Sequence, residues 1–195
     1  MEQTSVQKLA RVLRVLVIIT FVCNLIALYF VPTLAAMMSE NRGLSQEDLL
    51  SMERLVYWLQ FSPLCWNPVM WMVIVGTNGD SYWLVLTLFL FACGICTATI
   101  LWQGKRVLGT ILKGNPFVLD NAKSLKRAAV CCFVISGAAL VRVIWGLFYY
   151  QSIAPLLTYN ALFVPIFLMG GLLLMVMSAL FRQAAELQAE NDLTI

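Results

Sequence analysis

Three sets of side chains in this sequence have types and spacing that suit chemistry. Cys93 and Cys96 stand in a Cys-x-x-Cys spacing, the pattern of a dithiol redox pair. Arg142 is a permanent cation inside an apolar run, suited to contact an anion, a lipid headgroup or another ligand. The stretch 103–127 gathers Lys105, Arg106, Lys113, Lys123, Lys126 and Arg127, six of the thirteen basic residues, against Asp120. The chain has no His, which removes the commonest general base and metal ligand. It also has no Gly-rich phosphate loop, no His-Glu-x-x-His and no nucleophile–base pair. The reading is therefore a protein that is not an enzyme, with no catalytic residue, no cofactor and no metal.

Each set has a plainer structural account. Cys93 and Cys96 fall mid-run, where hydrocarbon disfavours the reactive thiolate. Gly94 and Ala98 beside them form a small-xxx-small step, so close helix packing is the simpler role. Cys131 and Cys132 are adjacent and read the same way, with S-acylation as a remote option. Arg142 sits about 21 Å from Ala128 and about 12 Å from Tyr150 at 1.5 Å per helical residue. A central Arg costs roughly 2.5–3.5 kcal/mol on insertion scales, so it needs water or a partner. Asn24, Glu40, Asp80 and free carbonyls near Pro32 are the candidates. Its plainer role is a structural cation satisfied by the outer loop. For the basic stretch the plainer roles are a topology signal and contact with anionic lipid.

These side chains need long apolar elements to hold them. Of the 195 residues, 61% are hydrophobic and 12% charged, and the mean hydropathy is +0.84. A soluble domain is nearer half apolar and a quarter charged. The net charge of +3 is too small to suggest direct binding of nucleic acid. The expected fold is all-α and polytopic, one membrane domain over 1–195 with spans at 15–38, 84–102, 128–150 and 161–181. Each approaches or exceeds the roughly 20 residues that cross a bilayer. A kink or early stop is expected at Pro32. The second span continues inward, because Val107, Leu108, Ile111 and Leu112 keep the helical period. Gly114 then reads as its C-cap and Pro116 as a stop. Asn115 and Pro116 also suit the N-cap and first residue of the next helix. Phe117 follows in the same turn.

Charge fixes the sides. A short loop rich in Lys and Arg stays in the cytoplasm, which places 103–127, both termini and the tail 182–195 inside. Inner pieces then carry ten basic residues, outer pieces two. The outer segment 39–83 opens an amphipathic helix at Ser45, with Asp48 three residues on. It continues through 61–75, broken by Pro63 and Pro68, as an interfacial or re-entrant stretch. Trp58, Trp66, Trp71 and Trp83 suit headgroup depth. A full crossing there would carry the basic loop outside, so it is rejected. Of the six cysteines, Cys65 lies in this segment, and no secreted disulfide framework is expected.

The segment 114–127, GNPFVLDNAKSLKR, precedes a span, and the last span ends in FRQAAELQAENDLTI. With Gly114, Pro116, Phe117, Asn121, Lys126 and Arg127, then Glu190, Asp192, Leu193, Thr194 and Ile195, the chain resembles the bacterial domain of unknown function 2975 family. The resemblance covers most of the chain and implies a four-span protein of the bacterial inner membrane. The family has no established activity. Its members are often encoded beside a small helix-turn-helix regulator, which implies a signalling role and that regulator as a partner. The outer Trp-rich segment is longer than the family leads one to expect.

Three functions follow. The first is a membrane regulator or sensor that docks a cytoplasmic protein. Its contacts would be the basic loop and the tail residues Glu186, Glu190, Asp192, Leu193 and Ile195. The tail acids are also placed to pair with the loop bases, closing a cap under the bundle. The second is a small transporter or lipid-binding protein around the intramembrane polar residues Arg142 and Asn24. The third is a thiol oxidoreductase using Cys93 and Cys96. Few polar residues lie in the spans, which weighs against transport. Ligand, signal and oligomeric state have no signature in the sequence.

Overall fold

The computed structural model describes residues 5–40, 56, 60, 81–157 and 159–193. Among them the structure is helical, without strands. Four long helices follow in order: α1 Ser5–Glu40, α2 Ser81–Leu112, α3 Leu119–Tyr150 and α4 Tyr159–Leu193. A short 3-10 turn, Ala154–Leu157, precedes α4. All four are long and apolar enough to cross a membrane. The expected capping box at Ser45 and the interfacial stretch 61–75 lie outside the described residues.

The apolar faces carry the membrane assignment. In α1, Leu9, Val12, Leu16, Ile19 and Val22 are exposed. In α4, Ile166, Met169, Leu173, Val176 and Leu180 are exposed. Soluble proteins do not leave apolar patches of this length facing water. Lipid accepts them, and a helix satisfies its own backbone there. The chain is a multi-pass membrane protein.

Pro32 does not stop α1, which runs on to Glu40. A proline costs one backbone hydrogen bond and clashes with the preceding turn. The Pro32 side chain is fully buried. In a membrane helix neighbouring groups absorb that cost.

Two compact units result: Ile26–Phe91, and Met1–Leu25 together with Ala92–Ile195. In the smaller, Val31, Pro32, Leu86 and Thr87 are buried, and Tyr29 meets Phe30 edge-on at 5.1 Å. In the larger, α3 is the most enclosed helix. Ala122, Ala128, Ala129, Cys132, Ile135, Ser136, Ala139, Val143 and Gly146 recur along its buried side. Most are small, which lets neighbouring backbones approach.

Helix α4 packs antiparallel on α3. Ser178 Oγ donates to the Ala122 carbonyl at 2.7 Å, and Ser136 Oγ donates to the Val164 carbonyl at 2.9 Å. Between them, Gly171 lies against the Phe133 ring, with no room for a Cβ. As one helix advances the other retreats, and the two hydroxyls pin the register. At the far end Gly146 packs on Pro155 of the 3-10 turn.

Candidate functional site

The site begins at the end of α2. Gly114 has φ +79, the left-handed region that glycine enters without a Cβ penalty. Its N–H donates to the Ile111 carbonyl at 3.1 Å, and the Asn115 N–H to the Thr110 carbonyl at 3.2 Å. This pair of bonds is the Schellman closure, which satisfies the last carbonyls of a helix.

Asn115 and Pro116 do not open α3, contrary to the sequence expectation. Helix α3 starts at Leu119, with the extended Val118 as its N-cap and no side-chain cap. The reason is Asn121, which is 1% exposed. Its Nδ2 donates to Thr110 Oγ1 at 2.6 Å and to the Pro116 carbonyl at 2.7 Å. Thr110 in turn donates to the Val107 carbonyl at 2.7 Å. One buried amide thus ties the end of α2 to the connection and to α3, and holds 115–118 off the helix.

This lock gathers the basic residues around a cavity of about 580 Å³. Its wall takes Arg14 from α1, Trp102, Lys105, Arg106 and Lys113 from α2 or its end, and Asp120 and Asn121 from α3. Lys105 Nζ lies 5.0 Å from the centre of the Trp102 ring, a cation–π contact. Trp102 also meets Phe21 of α1, with ring centroids 5.8 Å apart. The other loop bases, Lys123, Lys126 and Arg127, line a second cavity of about 460 Å³. Its remaining wall is Thr99, Val130 and Cys131. Asp120 of the first cavity and Lys123 of the second form an exposed ion pair at 3.7 Å.

The tail meets the turn through rings. Phe117 packs on Phe181 of α4 with centroids 5.7 Å apart. Glu186 pairs with Arg182 on its own helix at 2.8 Å, one turn back. At this exposure such a pair contributes little. Glu190 is exposed. Asp192 and Leu193 continue α4, while Thr194 and Ile195 lie outside the described residues.

Within the spans, Arg142 is half-buried on α3. Its charge is felt at Cys93 of α2. Asn24 is not its hydrogen-bond acceptor, because Asn24 Oδ1 is buried without a partner. Asp80 and the Glu40 side chain lie outside the described residues. The thiols regroup across helices: Cys96 meets Cys131 of α3, with Cys132 also close. The sequence spacing drew attention to Cys93 and Cys96 and missed this contact. Cys23, Cys93, Cys96, Cys131 and Cys132 are free thiols. Among the described residues no His, Cys, Asp and Glu group could hold a metal. If Cys96 only packs, Cys96→Ser should move the thermal midpoint of the detergent-purified protein by no more than a few degrees. A large loss, with a Cys96–Cys131 disulfide seen by mass spectrometry of the wild type, would give the pair a redox role instead.

Residues 77–195 match a family model described as "Protein of unknown function (DUF2975)". No curated protein and no solved structure matches the chain.

Proposed function

The chain belongs to the DUF2975 family of proteins of unknown function, and on that premise we propose that it is a regulator or sensor of the bacterial inner membrane that docks a cytoplasmic protein. The observation that carries this reading is the length of α4. Its 35 residues extend about 52 Å at 1.5 Å per residue, against a hydrocarbon core of about 30 Å. The surplus falls in 182–193, where the sequence turns polar. Leu187 is exposed there among Glu186, Gln188 and Glu190. An exposed Leu on a polar helix outside the bilayer suits a partner surface.

The positive-inside rule puts this end, the basic connection and both termini in the cytoplasm. The tail is coupled to the membrane part through Ser178 and Phe181, which hold α4 to Ala122 and Phe117. A shift between α3 and α4 would therefore move the tail. No step here needs catalysis, and the protein acts as a docking element, not an enzyme.

A small helix-turn-helix regulator is the first partner to test, given the gene neighbourhood that the family implies. Deleting 192–195 should reduce capture of the regulator on the detergent-solubilised protein at least fivefold. Lys123→Ala should reduce it less, because an exposed charge supplies only about 0–1 kcal/mol. Equal capture by the intact and shortened chains would end the reading.

A further inference from the structure

We propose that the two cavities between α2 and α3 form one site for a single anionic phospholipid. Its phosphate would lie in the upper cavity, at the α2–α3 connection, and an acyl chain in the lower. This goes beyond general attraction of a basic loop to a charged membrane, and it does not rest on partner docking.

Charge and shape carry the assignment. Arg14, Lys105, Arg106 and Lys113 converge on the upper cavity from two helices. The carboxylate in that wall, Asp120, is already paired with Lys123. The cavity therefore holds an excess of positive charge that an anion would neutralise. Arg supplies a planar fork for phosphate and Lys a point charge. The upper volume of about 580 Å³ lies within the ordinary range for small-ligand sites, about 300–1,000 Å³.

A free phosphate would leave the lower cavity without a role. That cavity, about 460 Å³, has an apolar lining in which Val130, Cys131 and the stems of Lys123, Lys126 and Arg127 take part. Such stems cover apolar surface while their charged ends reach water or a headgroup. The helix order gives the direction. Lys113 and Asp120 flank the connection, whereas Thr99 and Val130 lie deeper in the apolar helices. A headgroup at the connection and a chain beside Val130 match the layering of a lipid leaflet. Basic pockets between membrane helices recognise anionic headgroups in this way. The Asn121 lock shapes the floor, since it fixes where α2 and α3 part.

The test uses the full chain purified in neutral detergent, with bound lipid counted by native mass spectrometry. The probes are phosphatidic acid, phosphatidylcholine and inorganic phosphate. One equivalent of phosphatidic acid should be retained with saturation, phosphatidylcholine should not, and millimolar phosphate should not displace the lipid. Lys105→Gln with Arg106→Gln should weaken retention at least tenfold. Lys8→Gln with Arg11→Gln removes the same charge outside the cavity and should change it less than twofold. Val130→Trp keeps every charge and fills the lower cavity, so it should also weaken retention at least fivefold. Equal loss in both charge variants would reduce the effect to surface attraction and overturn the site. Displacement by phosphate, or full retention in Val130→Trp, would overturn the lipid assignment.

Discussion

Asn121→Leu is expected to destabilise the protein by about 2–4 kcal/mol, an unusually large effect for one side chain at a helix start. The Asn121 amide makes two hydrogen bonds, to Thr110 Oγ1 and to the Pro116 carbonyl. Each is worth about 1 kcal/mol net, and a buried acceptor left unpaired costs about 1–3 kcal/mol more. Leucine has nearly the right volume but no donor, so the Pro116 carbonyl loses its partner. Thr110 keeps its own bond to the Val107 carbonyl, which limits the damage on α2. The loss should appear as a lowered thermal midpoint of the purified protein, with wild-type helix content by far-UV circular dichroism before melting. Lipid retention should fall as well, because the upper cavity shares Asn121 in its wall. A midpoint within a degree of wild type would mean that the amide is not what holds the connection.

The local signals were legible in the sequence, and the convergent ones were not. Four apolar runs declare themselves by length, and no neighbour is needed to read them. The stop at Gly114 is equally local, because the left-handed turn favours a residue without a Cβ. The start of α3 misleads, since Asn115 and Pro116 have the chemistry of a cap. The deciding bond comes from Asn121, further along the chain and reaching back. Cys96 and Cys131 had a faint signal. They lie at similar distances on either side of the turn, so folding the chain back about Gly114 brings them level. Arg14 had none. Its place beside Lys105 and Arg106 depends on how α1 lies on α2, which periodicity does not encode. Phe117, read as part of the turn, and Phe181, at the end of a span, likewise meet only once α3 and α4 are set in register by Ser136 and Ser178. Depth along the span left Asn24 as one of several candidate partners for Arg142, and it does not fix which faces meet: Asn24 Oδ1 accepts no hydrogen bond.

Neighbouring glycines on α4 should respond with opposite signs. A Cβ at Gly171 would lie 2.7 Å from Phe133 Cε1 and 2.9 Å from Cδ1, whereas one at Gly170 meets nothing within 4 Å. Replacing a helical glycine by alanine ordinarily stabilises by up to about 1 kcal/mol, since less backbone freedom is lost. Gly170→Ala should show that gain. Gly171→Leu should instead destabilise by about 1–3 kcal/mol, the usual cost of overpacking a close helix contact. The Phe133 ring belongs to α3, so relief requires either that ring or the whole of α4 to move away. Moving α4 would strain the Ser178 bond to Ala122 and the Phe181 contact with Phe117, which hold the tail to the turn. The second readout is therefore limited trypsin digestion after Arg182, which should accelerate in Gly171→Leu and stay at the wild-type rate in Gly170→Ala. A lowered midpoint without faster cleavage would mean that Phe133 alone gives way. Faster cleavage would show that α3–α4 packing is transmitted to the tail, the coupling that a membrane regulator of this design requires.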